Sequence, residues 1–226
     1  LAEWKAKDQG GFYEVFLASA RVGGKWLSLP YGIVGLLIAY RKSWFDEVGA
    51  KECPRTWQEY REVGKKLKAM GRPFGQALGH TWGDAPAFAY PYLWSWGGKE
   101  VEKNGKTVVI NSKETIDSLR FMAGFWKDAY DEGGLAWDDS NNNRAYHSGQ
   151  ISATLNGASI YLTAKRNPEK IKDGKGQPLW HDILHAPLPA GPAGQFAYHV
   201  ALAHGIMKYS KEQKLAKEFL KWLHSK

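Results

Sequence analysis

Residues 149–168 read GQISATLNGASIYLTAKRNP. Ile151, Ala153 and Leu155 recur with a period of two, as the inward face of a strand does. Asn156-Gly157 then turns the chain, and a helix follows that stops before Pro168. Reading outward, a short helix ends at Gly149, preceded by the polar loop Trp137 to Asn143. Before that, Asn111 with Glu114 opens a helix that carries Ile116, Leu119, Met122, Phe125, Trp126 and Tyr130 on one side and ends at Gly133-Gly134. Asn104-Gly105 signals a type I′ hairpin with Thr107 to Ile110 as its second strand. Asp84 with Pro86 predicts an N-cap and a helix through Tyr92, bent by Pro91. Thr56 with Glu59 predicts a capping box, opening a helix on which Trp57, Tyr60, Val63, Leu67 and Met70 recur before Gly71. Ile33 to Tyr40 is a continuous apolar run and predicts one buried strand. Gly23-Gly24 is a turn, and Lys25 to Tyr31 is extended. On the other side, Ile183 to Leu188 and Phe196 to Leu202 read as strands joined by the Pro/Gly-rich connector Pro187 to Gly194. Ser210 with Gln213 predicts a second capping box, with Leu215, Phe219, Trp222 and Leu223 of its helix facing inward. Strands and helices alternate throughout, so the fold class is α/β.

The 226 residues are 43% hydrophobic and 24% charged, an ordinary globular profile, and no apolar run is long enough to span a bilayer. The net charge of +8 invites a nucleic-acid reading. The lysines, however, fall on helix faces (Lys65, Lys66, Lys68; Lys208, Lys211, Lys214, Lys217, Lys221), and no nucleic-acid-binding motif accompanies them. No nucleic acid and no direct membrane insertion are therefore expected. The lone Cys53 carries no information about redox compartment. Aromatic residues make up 14% of the chain, and Trp82, Trp94, Trp96, Trp137 and Trp180 sit beside loop-forming residues. Flat aromatic faces suit the C–H faces of sugars as well as they suit a core.

Chemistry finds no foothold. His181 and His185 have the i, i+4 spacing of a zinc pair, but no adjacent glutamate or third ligand, so no metal is expected. The nucleophile elbow and the phosphate loop are absent. Asp84, Asp138 and Asp139 are glycosidase carboxylates by residue type only. No cofactor is implied.

The ordered motifs resemble those of family 1 extracellular solute-binding proteins, the maltose-binding-protein-like group of ABC importers. Gly24-Lys25-Trp26 with Leu29-Pro30-Tyr31 is similar to the family's hinge-entering segment, and Pro54-Arg55-Thr56-Trp57-Gln58-Glu59 to its Pro-x-Thr-Trp-x-Glu helix start. Leu93 to Gly98, Gly149 to Gly157 and the Ser210 to Leu223 helix also follow its order. The resemblance implies a type II periplasmic-binding-protein-like fold, largely the C-terminal lobe with partial N-terminal-lobe segments. Residues 1–32 would be the N-lobe remnant and hinge, 33–194 the C-terminal lobe, and 195–226 the returning hinge strand and N-lobe helix. Portions of the family's length at both ends would be missing, leaving apolar N-lobe surface uncovered. The implied function is non-enzymatic binding of a sugar or polyol, with ABC permease subunits as partners of the full-length protein. The expected location is the periplasm, or the outer surface, membrane-tethered, in a Gram-positive cell. A glycoside-active enzyme using the same cleft is the alternative.

Carried over by motif, the ligand-binding residues would be Tyr31, His80, Trp82, Asp84, Asn156, Ser159, Tyr161, Tyr198 and His199. Asp84 has a rival reading as a helix cap. The family's stacking tryptophan after Asn-Gly-Pro is replaced by Asn156-Gly157-Ala158-Ser159. Either Tyr161 or Trp82 stacks on the ligand, or the ligand is not a stacked oligosaccharide. Arg144, in the polar run from Trp137, would favour an acidic group if it reached the ligand.

Overall fold

A computed structural model describes residues 1–225. In chain order the elements are α1 (Ala2–Gln9), α2 (Glu14–Ala20), β1 (Arg21–Val22), β2 (Lys25–Trp26), β3 (Leu29–Gly35), β4 (Leu37–Arg41), α3 (Lys42–Glu47), α4 (Trp57–Ala69), α5 (Asp84–Ser95) and α6 (Lys113–Ala129). Then follow α7 (Asn141–His147), β5 (Ala153–Asn156), α8 (Ser159–Arg166), β6 (Ile183–Ala186), β7 (His199–His204) and α9 (Gln213–Leu223). The chain divides into two compact units, Leu1–Gly35 with His199–Lys226, and Leu36–Tyr198.

The larger unit is built on an antiparallel sheet of order β5-β4-β6, in which Ile38 faces Leu155 on one side and Ala186 on the other. Side-chain alternation along β4 feeds two cores. Ala39 joins Tyr146, Ile151, Ile160, Leu179 and Ile183 beneath α7 and α8. Tyr40 points the other way, its ring 4.7 Å from Phe45, which lies 6.0 Å from Phe74; Phe74 stacks on Tyr60 at 4.2 Å. Trp57 is fully buried there and donates to Ser95 Oγ at 2.9 Å. Much of the aromatic excess is thus core. Trp94, Trp96, Trp137 and Trp180 are half-buried in packing, whereas Trp82 is 80% exposed.

Local signals explain several boundaries. The Thr56–Glu59 capping box forms, with Thr56 Oγ1 accepting from the Glu59 amide at 3.3 Å. Gly64 is dictated by packing: a Cβ there would lie 2.4 Å from Phe74 Cε2. Arg41, 3% exposed, leaves the end of β4 and donates to Asp182 Oδ2 at 2.9 Å. Asp182 also accepts from the Ser43 amide and hydroxyl, so one carboxylate secures both a buried guanidinium and the start of α3.

The smaller unit pairs β3 with β7 in an antiparallel ribbon, Leu29 opposite His204 and Gly35 opposite His199. Ala2, Leu29 and Leu220 form its small core, with Phe12, Trp26 and Ile206 packed alongside.

Several sequence expectations are corrected. Ile33 to Tyr40 is not one strand: pairing breaks at Leu36, and Ile33, Val34 and Leu37 are exposed. Two short ladders in different units produce the same apolar run as one buried strand. Ser112, not Asn111, caps α6, accepting from the Thr115 amide, and Ile116 and Leu119 on that helix are exposed. The Asn104-Gly105 turn is not type I′, which needs positive φ at both central residues: among the described residues only glycines have positive φ. Its flanks share a single bridge, Val101 to Val108. The strand expected from Phe196 begins at His199. On α9, Glu212 stands at the N-cap with no side-chain cap bond, and Leu215, Phe219, Trp222 and Leu223 are exposed, with Leu220 the residue buried. Helical periodicity located the apolar stripe but not what covers it.

Candidate ligand-binding site

In the larger unit, the loop 80–84, the start of α7 and the turn 156–159 are joined by side-chain hydrogen bonds. Asp139 fixes the first of these. Its carboxylate accepts from Thr81 Oγ1 at 2.6 Å, the Gly83 amide at 3.1 Å and the Asp84 amide at 2.9 Å. Burial alone would raise the pKa of Asp139, but these donors outweigh it and hold the group below the usual carboxylate range. The approach is close: a Cβ on Gly83 would sit 2.7 Å from Asp139 Oδ2.

Asp139 therefore caps α5, and the rival reading of Asp84 as that cap is corrected. Gly83 occupies the N-cap and Asp84 is the first helical residue, with its carboxyl directed elsewhere. Asp84 Oδ2 accepts from Asn142 Nδ2 at 2.6 Å, and Oδ1 has no partner among the described residues. Burial pushes the Asp84 carboxyl up to about 6; the Asn142 bond opposes the rise and the charge of Asp139 adds to it.

The turn after β5 forms the other side. Asn156 Oδ1 accepts from the Gly157 amide at 2.7 Å and from Ser159 Oγ at 2.9 Å, while Asn156 Nδ2 donates to Asn143 Oδ1. Asn143 Nδ2 in turn donates to Ser159 Oγ at 3.3 Å. Arg144 turns back on its own helix start, donating to Ser140 Oγ at 2.7 Å with Asp138 4.0 Å away.

Asp84, Asn156 and Ser159 are thus brought into one network, and His80 and Trp82 are exposed in the loop that Asp139 clamps. Tyr161 is engaged otherwise: its ring lies 6.2 Å from Trp180 and 6.1 Å from His185, with Lys165 over it at 5.5 Å. Tyr198 is half-buried at the end of the larger unit. In the smaller unit, His199 is exposed opposite Gly35, and Tyr31 stacks on His204 at 4.2 Å and 8°. Asn142 and Asn143 were legible only as part of a polar run. A signal was present: three consecutive asparagines opening a helix are poor helix formers that need a polar task. Among the described residues, no group of three or more His, Cys, Asp or Glu is gathered to hold a metal ion, and no helix is long and apolar enough to cross a membrane.

The sheet, its helical layers and this network have the form of a type II periplasmic solute-binding fold. The chain belongs to the bacterial extracellular solute-binding protein family, whose family model matches residues 1–226. It is similar to the maltose-bound MalE3 of T. maritima, at 27% identity and a TM-score of 0.79, over 99% of this chain and 56% of that one. It is also similar to the GacH receptor of Streptomyces glaucescens, solved unliganded and with acarbose, at 25% identity and a TM-score of 0.74, over 96% of this chain and 53% of that one. A protein of Brucella abortus (strain 2308), named only as a binding protein, is 24% identical over 96% of this chain and 51% of its own length. The chain spans about half the length of the curated relatives it matches.

Proposed function

We propose that this chain is part of the substrate-binding subunit of a bacterial ABC importer, and that it takes a neutral sugar or polyol without chemical conversion. In this reading residues 33–194 form the C-terminal lobe, and residues 1–32 and 195–226 contribute to the N-terminal lobe. Binding takes place in the periplasm or at the outer cell surface, and the permease subunits receive the ligand. The observation that carries the proposal is Asp84: a half-buried carboxylate with one oxygen committed to Asn142 and the other without a partner among the described residues, in the same loop as an exposed tryptophan.

A hydroxyl-rich ligand supplies donors to that second oxygen, and Trp82 offers it a stacking face. With the Tyr161 ring engaged by Trp180 and His185, Trp82 is the better stacking candidate. Asp138 and Asp139 nearby in the chain, and Arg144 turned onto Ser140, favour a neutral ligand over an acidic one. The maltose and acarbose in the related structures are consistent with that class.

Thermal denaturation of the purified protein across a panel of neutral sugars and polyols, maltose and ribitol among them, tests the proposal. Ligand at about 100 times its Kd adds about 2.7 kcal/mol and raises Tm. Asp84→Asn abolishes the rise, and the sugar is recovered intact. Absence of stabilisation across the panel, or turnover of a bound sugar, overturns the proposal.

A further inference from the structure

We propose that Asn142 is the positioning residue of this site: its buried amide fixes the Asp84 carboxylate in the orientation that presents Oδ1, and its neighbour Asn143 ties that orientation to the turn at Asn156 and Ser159. The inference rests on the reading of Asp84 as a ligand acceptor, although its structural core is measurable without any ligand.

Asn142 is the second residue of α7 and fully buried. A buried amide in the first turn of a helix is costly unless it is hydrogen-bonded, and here both its nitrogen and its oxygen have partners. Nδ2 donates to Asp84 Oδ2 at 2.6 Å and, more weakly, to Thr154 Oγ1 at 3.4 Å, while Oδ1 accepts from the Asn143 amide at 3.0 Å. Asn143 then reaches the other way, accepting from Asn156 and donating to Ser159. Two adjacent residues therefore span both loops of the site. The groups that act on Asp84 are neutral Asn142, through its hydrogen bond, and charged Asp139, from the loop before α7. Asn142 is thus the side chain that stabilises the ionised form of Asp84 against both burial and the Asp139 charge. Substituting it releases the carboxylate from its fixed orientation and makes it easier to protonate.

The experiment follows the Asp84 carboxyl by carbon-13 NMR titration, with Asp84→Asn supplying the assignment. In Asn142→Ala the Asp84 midpoint rises by about one pH unit. It also rises in Asn142→Asp, which keeps the side-chain shape but replaces the donor by a second carboxyl. Affinity for maltose or ribitol at neutral pH falls about tenfold in both. In the unaltered protein, the Asn142 side-chain amide resonance moves with the Asp84 midpoint, a measurement that needs no variant to fold. A folded Asn142 variant with an unchanged Asp84 midpoint, or an Asn142 amide indifferent to that titration, overturns the proposal. If the midpoints move as expected while the unaltered protein takes neither probe, positioning stands and the sugar-binding reading fails.

Discussion

Replacing Asp84 by asparagine should stabilise the unliganded protein above about pH 6 and destabilise it by about 1–2 kcal/mol near pH 4, where Asp84 is protonated and only the cost of burying the amide remains. The perturbation removes a charge without changing shape. Burial has pushed the Asp84 carboxyl from its ordinary 3.8 up to about 6. A carboxyl that holds its proton more tightly in the folded state gives the native protein more bound protons between those two values. Stability therefore falls as pH climbs through that window, and the full cost is in place above it. At roughly 1.4 kcal/mol per pH unit, the cost of ionised Asp84 is roughly 3 kcal/mol. Asparagine must still bury an amide, so the net gain is about 1–2 kcal/mol. For a protein of this size each kcal/mol moves Tm by about 2–4 °C, which places the variant about 4 °C higher near pH 7.5. Calorimetry of both proteins across the pH series decides the matter. A difference in Tm that does not vary with pH, or a variant less stable at neutral pH, refutes the reasoning. Loss of sugar binding in this more stable variant would mark Asp84 as a residue kept for function at the expense of stability.

Trp82→Ala should leave stability within about 0.5 kcal/mol, because the ring is 80% exposed, and should weaken maltose binding by about three- to tenfold in titration calorimetry. Gly64→Ala should cost about 2 kcal/mol or more in chemical denaturation, since its Cβ would lie 2.4 Å from Phe74 Cε2 and 2.6 Å from Ala129 Cβ. Asp182→Ala should cost about 3–5 kcal/mol by the same assay, because it strands the buried Arg41 guanidinium and removes the acceptor for Ser43.

How much was legible in the sequence depended on the range of the deciding interaction. The Thr56–Glu59 box and the turn at Asn156-Gly157 were readable because their chemistry lies within a few residues, whereas the strand before that turn spans only Ala153–Asn156 and is buried on both faces rather than alternating from Ile151. The cap of α5 was not, since its acceptor Asp139 lies 55 positions beyond Asp84. The apolar stripe of α9 and the run from Ile33 to Tyr40 were seen, but periodicity records that side chains are apolar, not which of them acquire a neighbour. The site followed the same division. The motifs carried over from the family resemblance named Asp84, Asn156 and Ser159, and these three lie in one hydrogen-bonded network. The same motifs also named Tyr31 and Tyr161, whose rings pack against His204 and against Trp180 with His185. Asp84 and Asp139 make the point most sharply. They are the same residue type in adjoining loops, yet one is raised and the other lowered. Asp139 collects three donors and is spent on architecture; among the described residues Asp84 receives one, on Oδ2. That difference in hydrogen-bond supply, set by groups distant in the chain, is what singles out Asp84 rather than Asp139 as the proposed ligand acceptor.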